Sequence, residues 1–210
     1  GAARAAASWR LLFLSAGEET LAAMMHKAGK RANAGQEIRL ADIAADAGAG
    51  LGAFENIHGH KDAGAFALAL NDAALEHHGA AGMEWLRHIV ADRVSIASNA
   101  AAQVRDFAQQ LCPQNASGQV QRVARRFALL GLAGEMATAY GLTGWQAGEA
   151  QAAVQKCFEA WLEGFGGASP KEGRAILEQV RGFIEAHGAS RFEDLGSSNQ
   201  PRIINRAGFI

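Results

Sequence analysis

The chain has 210 residues, of which 49% are hydrophobic, 20% are charged and 25 are glycine. These proportions are typical of a globular protein and exclude wholesale disorder. The formal net charge of -1 excludes a uniformly basic nucleic-acid binder, although it leaves room for a local basic patch. The two cysteines, Cys112 and Cys157, exclude a disulfide scaffold and predict a cytoplasmic protein.

No segment has the length and hydropathy of a membrane span, so no membrane partner is expected. The longest apolar stretch, 127–134, ends at Glu135, whereas a spanning helix needs about 20 apolar residues. The apolar run Leu11–Leu14 is too short for the core of a signal peptide. The chain begins with Gly rather than Met, which we interpret as the sign of a fragment of a longer protein.

Residues 9–43 have the pattern of a strand, a helix and a second strand. Trp9–Ser15 is an apolar run of strand length, and Gln36–Ile43 alternates between apolar and polar residues. Between them, Glu18–Ala32 has acidic residues in its first turn and basic residues in its last, as a helix favours. This order predicts one piece of an α/β sheet, since two strands are not stable alone.

Ala44–Gly52 is a loop of small residues after the second predicted strand. It lacks the Gly-Lys-Ser/Thr of a Walker A motif, and its glycine spacing fits a dinucleotide-binding loop poorly. A plain flexible connection is therefore favoured over a phosphate-binding loop.

From Asp62 onward the apolar spacing predicts helices. They span Asp62–His78, Met83–Val90, Val94–Leu111 with a bend near Asp92, Gly118–Tyr140, Glu149–Phe165 and Lys171–His187 with Gly188 as its cap. Ser190–Leu195 and Arg202–Phe209 are predicted to form a β-hairpin. The last two helices and this hairpin would make a winged-helix-like unit.

Four segments resemble one known family. They are WRLLFLSAGEETLAAMMHKAGKRANAGQEIRLADI from Trp9, FENIHG at 54–59, GQVQRVARRFALLGLAGEMATAYGLTGW at 118–145 and NRAGF at 205–209. Together they resemble the domain of unknown function 927 family, which is similar to helicase-like ATPases of phages, plasmids and other mobile elements. The resemblance covers nearly the whole chain, and the motifs come in the family's order.

The resemblance implies an ATPase of the AAA+ or superfamily 3 kind. Its complete form would bind ATP and Mg²⁺, assemble into a ring and act on DNA. Family members carry Walker A and Walker B motifs upstream of the FLS segment, and this chain has neither. We therefore expect the C-terminal part of such a protein, with no nucleotide bound to this part alone.

The implied fold is an α-rich α/β fold in three parts. Residues 1–60 would be the end of a P-loop ATPase core, with a partial AAA+/RecA-like strand–helix–strand piece. Residues 61–145 would form a helical lid, and residues 146–210 a helix pair with a β-hairpin wing.

By the same resemblance, Ser15 stands at the end of a sensor strand, where a polar group orients the attacking water or senses the γ-phosphate. The alternative is a hydroxyl that bonds the backbone at a strand end. The family has Thr at the position of Ala16, which weakens a sensor in this chain. Arg31 is the implied catalytic arginine finger, with Arg39 as the second candidate, and Lys30 is a nucleotide-binding neighbour. The alternative is that these basic residues only complement the helix dipole.

Arg122, Arg125 and Arg126 lie early in a long predicted helix, where the resemblance implies a sensor-2-like contact with nucleotide. The alternatives are pairing with nearby acids or a patch that faces DNA. Four further arginines are candidate nucleic-acid contacts of the winged-helix-like unit, and a helical packing domain is the alternative. These are Arg174, Arg181, Arg202 and Arg206.

No metal site is expected. His58 and His60 form an H-x-H pair and His77 and His78 are adjacent, yet no cysteine pair or H-E-x-x-H motif accompanies them. The sequence thus predicts a part of a helicase-like ATPase, inactive alone. The alternative is a non-catalytic module for DNA binding or oligomerisation.

Overall fold

The computed structural model describes residues 8, 11–30, 34–169, 171–193 and 205–209. Helix accounts for 62% of these residues and strand for 1%. The helices are α1 (Leu21–Lys27), α2 (Ala34–Glu37), α3 (Ala63–Glu76), α4 (Ala80–Ala91), α5 (Arg93–Leu111), α6 (Gly118–Ala139), α7 (Glu149–Phe165) and α8 (Lys171–Arg191). Two short strands, β1 (Phe192–Glu193) and β2 (Gly208–Phe209), pair in parallel.

The predicted α-rich α/β fold is wrong, because the described residues contain no strand–helix–strand piece. Residues 11–15 are irregular, and the second predicted strand, Gln36–Ile43, begins inside the single turn α2 (Ala34–Glu37) and has no strand residue. An apolar run becomes a strand only when neighbouring strands accept its backbone hydrogen bonds. Without such neighbours in the described chain, Leu14 stays fully exposed, at 101% of its reference area.

The predicted winged-helix-like unit is also corrected. A hairpin wing needs two antiparallel strands, whereas β1 and β2 run parallel and pair over two residues each. Gly188 does not cap α8, which continues to Arg191. The helix therefore includes the first two residues of the hairpin strand predicted for Ser190–Leu195. Residues 194–204, the rest of the predicted hairpin, lie outside the described residues.

The chain divides into two compact units, Gly1–Asp42 and Ile43–Ile210. In the first unit, α1 begins three residues later than predicted because Thr20 caps it. The Thr20 hydroxyl accepts a hydrogen bond from the Ala23 amide at 3.1 Å, which satisfies one free N–H of the first turn. Lys27 pairs with Glu19 along the same segment.

The core of the second unit is a bundle of α5, α6 and α7. The apolar stripe of α6 supplies Val120, Val123 and Phe127, and α7 contributes Phe158 and Trp161. The rings of Phe127 and Phe158 meet edge to face at 5.7 Å, and Phe158 lies 5.6 Å from Trp161. This aromatic row fills the space between α6 and α7 and fixes their register.

Two glycines of α6 allow its neighbours to approach closely. A Cβ on Gly131 would lie 2.6 Å from Cε1 of Phe107 on α5, and one on Gly134 would lie 2.5 Å from Cβ of Ala150 on α7. Both distances are far below ordinary carbon contacts. Any larger residue would therefore push α6 away from α5 or α7.

The helix predictions after Asp62 are confirmed to within a few residues. The bounds predicted for α7 are those observed, and the predicted bend near Asp92 is the boundary between α4 and α5. The division at 60 and 145 stays a prediction. Within the described residues, no helix combines the length and hydropathy needed to cross a bilayer.

Candidate functional site

The residues predicted for a sensor and finger fall in the first unit. Ser15 is exposed in an irregular segment, so no strand carries it towards a phosphate. Lys30 is exposed and follows α1 after Gly29, while Arg31 lies outside the described residues. The first unit therefore presents Ser15 and Lys30 to solvent rather than to a common pocket.

The three arginines of α6 occur early in that helix as predicted, but their surroundings differ. The Arg122 Nε donates a hydrogen bond to the carbonyl oxygen of Gly118 at 3.0 Å, one turn earlier in α6. Arg125 is exposed, and Arg126 is half-buried and engaged with other groups. The nucleotide-binding role implied for these arginines stays a prediction.

Two of the four candidate nucleic-acid residues, Arg181 and Arg206, have described side chains in the second unit. The Arg181 Nε donates to Oε1 of Glu185 at 2.7 Å, so its charge is largely compensated within α8. Arg206 is engaged with other groups. The Arg174 side chain and the whole of Arg202 lie outside the described residues.

The two histidines of the H-x-H pair contact a phenylalanine ring. Their rings lie 5.5 Å (His58) and 5.2 Å (His60) from the Phe66 ring, and Phe54 meets Phe66 edge to face at 4.8 Å. Over the described residues, no group of three or more His, Cys, Asp or Glu side chains is placed to hold a metal ion. These contacts make the pair part of a small aromatic cluster.

The FENIHG segment is anchored to the bundle by one ion pair. Glu55 pairs with Lys156 of α7, 101 residues further along the chain. The hydrogen bond and the charge of Lys156 lower the pKa of Glu55, and Glu55 raises the pKa of Lys156 in return. Asn56 accepts a hydrogen bond from the His58 amide at 2.8 Å and so shapes the turn that leads into His58.

The GEMATAYGLTGW segment builds the corner between α6 and α7. The two carboxylate oxygens of Glu135 accept hydrogen bonds from the backbone amides of Gly148 at 2.8 Å and Gln151 at 3.1 Å. The N-cap residue of α7 is Gly148, which has no side chain to do this. Glu135 therefore caps α7 from the neighbouring helix, and its negative charge suits the positive end of the helix dipole.

The same corner holds α4. The Tyr140 ring stacks on His88 with centroids 4.2 Å apart and planes 5° from parallel, and Trp85 lies 5.9 Å from Tyr140. Glu84 interacts with His88 at 3.5 Å and with Arg87 at 2.7 Å along α4. Tyr140 is therefore the main aromatic link between α4 and the bundle.

Two open grooves follow α5, with volumes of about 160 Å³ and 360 Å³. They share Gln103 and are lined along α5 by polar side chains such as Asn99, Asp106 and Gln110. Neither groove contains a pair of charged groups poised for proton transfer. Burial raises the pKa of the Cys112 thiol, which makes this half-buried cysteine a poor nucleophile.

The most unusual feature of the described surface is its exposed apolar side chains. Large apolar residues are exposed on α3, α4 and α8, and no residue of α3 or α4 is buried. The exposed set on these helices is Leu68, Leu70, Leu75, Met83, Leu86, Val90, Ile176, Leu177, Val180, Phe183 and Ile184. Contiguous exposed apolar surface of this kind is typical of interaction sites.

Comparison with known protein families, with curated proteins and with solved structures finds no match for this chain. The family resemblance therefore depends on the four motifs alone. The structure gives two of them structural roles, since FENIHG holds the ion pair to α7, and the segment 118–145 forms the buried face of α6 and the corner to α7.

Sequence reasoning missed the residues that organise this corner. Glu135 could have been noticed as a single acidic residue within an apolar stretch of a predicted helix. Burying a carboxylate costs free energy unless a partner binds it. Glu55 and Lys156 had no such signal, because their contact depends on a loop folding back over α7. The exposed stripe of α8 was visible as a periodic pattern, but periodicity does not tell a buried face from an uncovered one.

Proposed function

We propose that this chain is the C-terminal helical part of a helicase-like ATPase of mobile elements, and that it acts as an assembly module. Its α5–α7 bundle is the stable platform, and α3, α4 and α8 dock against other protein of the same assembly. The complete protein would bind ATP and Mg²⁺ through segments outside this chain, form a ring and act on DNA.

The uncovered apolar helices carry this proposal. Among the described residues, more large apolar side chains are exposed than buried. A free-standing domain keeps such patches to a few hundred Å² because contact with water costs free energy. Eleven of these exposed side chains lie on α3, α4 and α8, while others lie in the first unit, such as Leu14, and on the bundle, such as Val94 and Trp145. The concentration on three helices outside the bundle fits a platform with docking helices.

The resemblance supplies the kind of assembly. The four motifs follow the order of a family of helicase-like ATPases, and the chain contains no P-loop of its own. Arg31 remains the proposed arginine finger of the complete protein, because a planar guanidinium suits the charge of a transferring phosphoryl group. The sensor role of Ser15 is retained as the weaker half of this proposal.

The second candidate is a module that oligomerises without any ATPase. Ala16 in place of the family's Thr favours it, as does the absence of a phosphate-binding loop. A DNA-binding module has less support, since the described Arg181 is paired with Glu185.

The gene upstream of Gly1 decides between these candidates. A coding segment with G-x-x-x-x-G-K-[ST] within one domain's length supports the ATPase assembly. That complete protein should hydrolyse ATP with a specific activity that rises with protein concentration. Arg31→Ala should abolish turnover and leave nucleotide binding intact, whereas Arg39→Ala should keep most of the turnover. A gene without any P-loop, or a turnover independent of Arg31, would contradict the proposal.

A further inference from the structure

The helix α8 carries a continuous apolar stripe that the described residues do not cover. The stripe consists of Ile176, Leu177, Val180, Phe183 and Ile184, which we call the α8 stripe. All five side chains are exposed, from 37% for Phe183 to 70% for Leu177. With 3.6 residues per turn, they fall within about 60° of Val180 around the helix axis and form one face.

The charges of the same part of α8 lie on the opposite face. Glu178, Arg181 and Glu185 are about 100° or more from Val180 around the axis. Arg181 and Glu185 pair with each other through a 2.7 Å hydrogen bond, and this pair lies outside the stripe. Between residues 176 and 185 the stripe is therefore apolar and uncharged.

Other residues of the same chain contact the C-terminal end of the stripe. Phe183 contacts the His187 ring at 4.8 Å and the Arg191 guanidinium at 5.3 Å, and Phe192 meets it edge to face at 6.1 Å. Arg191 is held in place by Asn205, whose backbone oxygen accepts from its Nε at 3.2 Å. The remaining apolar surface is thus centred on Val180.

Other exposed helices are less suited to the same role. On α4, Met83, Leu86 and Val90 share a face, but Arg87 lies only about 40° from Met83 around the axis. On α3, Asp72 lies about 40° from Leu68 and so falls beside Leu68 and Leu75. If two copies packed through α3 or α4, like charges would face each other across the contact. If they packed through the α8 stripe, only apolar side chains would meet.

We propose that the α8 stripe is a self-association surface, where α8 of one copy packs against α8 of a second copy about a two-fold axis near Val180. An uncharged apolar face is complementary to itself, which is the requirement of a two-fold contact. This inference rests on the assembly role in the proposed function, but it needs neither nucleotide nor a ring. A ring requires a separate head-to-tail contact.

The area of the stripe sets the strength of the pair. At roughly 100 Å² of apolar surface per side chain, half exposed, five residues from each copy remove about 500 Å² of apolar surface from water. With the polar rim added, the interface is at the low end of specific interfaces, below about 1,200 Å². The pair is therefore weak and populated at protein concentrations above roughly 10 µM.

The test is sedimentation equilibrium of the 210-residue chain without nucleotide. The protein concentration should range from about 1 to about 300 µM, which brackets the expected dissociation constant. The wild-type mass should rise from monomer towards dimer. Val180→Lys should stay monomeric over the whole range, because it places two ammonium groups at the centre of the pair. Glu178→Lys, which introduces the same side chain on the opposite face, should dimerise like the wild type.

A second variant guards against a folding defect. Val180→Ala favours the helix and only trims the stripe, so it should keep the circular dichroism of the wild type while dimerising roughly tenfold more weakly. A wild-type chain that stays monomeric, a Val180→Lys chain that dimerises normally, or equal losses for Val180→Lys and Glu178→Lys would each overturn the inference. Failure of the ATPase proposal would leave these masses unchanged.

Discussion

Gly134 of α6 lies so close to Ala150 of α7 that a Cβ on Gly134 would stand 2.5 Å from the Ala150 Cβ. Ala150 is buried, and its Cβ is fixed by the backbone of α7, so it cannot move aside without shifting the helix. The contact explains why an otherwise apolar helix stripe contains a glycine, a residue that costs about 1 kcal/mol in a helix.

Gly134→Ala should therefore destabilise the protein, although alanine is the better helix former. We expect the free energy of unfolding to fall by about 1–2 kcal/mol, because the cost of overpacking exceeds the gain in helix propensity. Gly131→Ala, which meets the buried Phe107 ring, should act in the same direction. Urea denaturation followed by circular dichroism measures both.

Gly164→Ala is the matched control for these variants. Gly164 lies in α7 with no atom within 4 Å of its added Cβ. This variant should be neutral or stabilised by up to about 1 kcal/mol. If all three alanine variants behaved alike, α6 would not pack against α5 and α7 as described.

Glu135→Ala should remove the cap of α7. It leaves the amides of Gly148 and Gln151 without their acceptor, and we expect the free energy of unfolding to fall by about 1–2 kcal/mol. Glu135→Gln retains one acceptor oxygen and should lose less. Glu163→Ala, an exposed acid of α7 far from its N-terminus, is the comparison, and a loss as large as that of Glu135→Ala would count against the cap.

The pair of Glu55 and Lys156 predicts a pH dependence with a defined sign. The pKa of Glu55 is lowered in the folded chain, so the anchor is present above the ordinary glutamate pKa and is lost as the pH falls through the lowered value. The pKa of Lys156 is raised, so at the alkaline end the anchor is lost as the pH rises through that higher value. Between these limits the anchor is constant.

A carboxyl titration by NMR tests this anchor. Lys156→Met should raise the pKa of Glu55 towards the ordinary glutamate value, because it removes both the hydrogen bond and the charge. The global stability should change little, since both side chains are exposed. An unchanged Glu55 titration in the Lys156→Met variant would show that FENIHG is not anchored to α7.

Tyr140→Ala should loosen α4 while leaving the bundle intact. The Tyr140 ring carries the stacking contact to His88, so its loss should speed amide exchange in α4 and leave α6 unchanged. Tyr140→Phe keeps the ring and should exchange like the wild type. Slower exchange in α4 of the alanine variant, or equal effects of both substitutions, would contradict this role.

Some parts of this fold could be predicted from the sequence because their signals are local. The stripe of Val120, Val123 and Phe127 repeats at helical spacing, Ser117 provides a cap, and Gly166 ends α7 in a left-handed conformation. The strand predicted for Trp9–Ser15 is wrong over its described residues, 11–15, because an apolar run alone does not show whether partner strands exist. The hairpin was predicted wrongly because Gly188 continues α8 rather than ending it.

The candidate site was less predictable because its contacts join distant parts of the chain. The Glu135 cap depends on how α7 returns beside α6, and Glu55 meets Lys156 only after α7 has packed. The pair of Arg181 and Glu185 is by contrast a local contact, four residues apart on α8. The sequence also does not show which apolar helix faces are buried and which are exposed.

Hydrogen–deuterium exchange tests the central claim, a stable bundle with docking helices, most directly. It should be measured on this chain alone and on the complete protein from the same gene. In the chain alone, α5–α7 should exchange slowly and α3, α4 and α8 quickly, and in the complete protein α3, α4 and α8 should become protected. Slow exchange of α3, α4 and α8 in the chain alone, or no added protection in the complete protein, would contradict the claim.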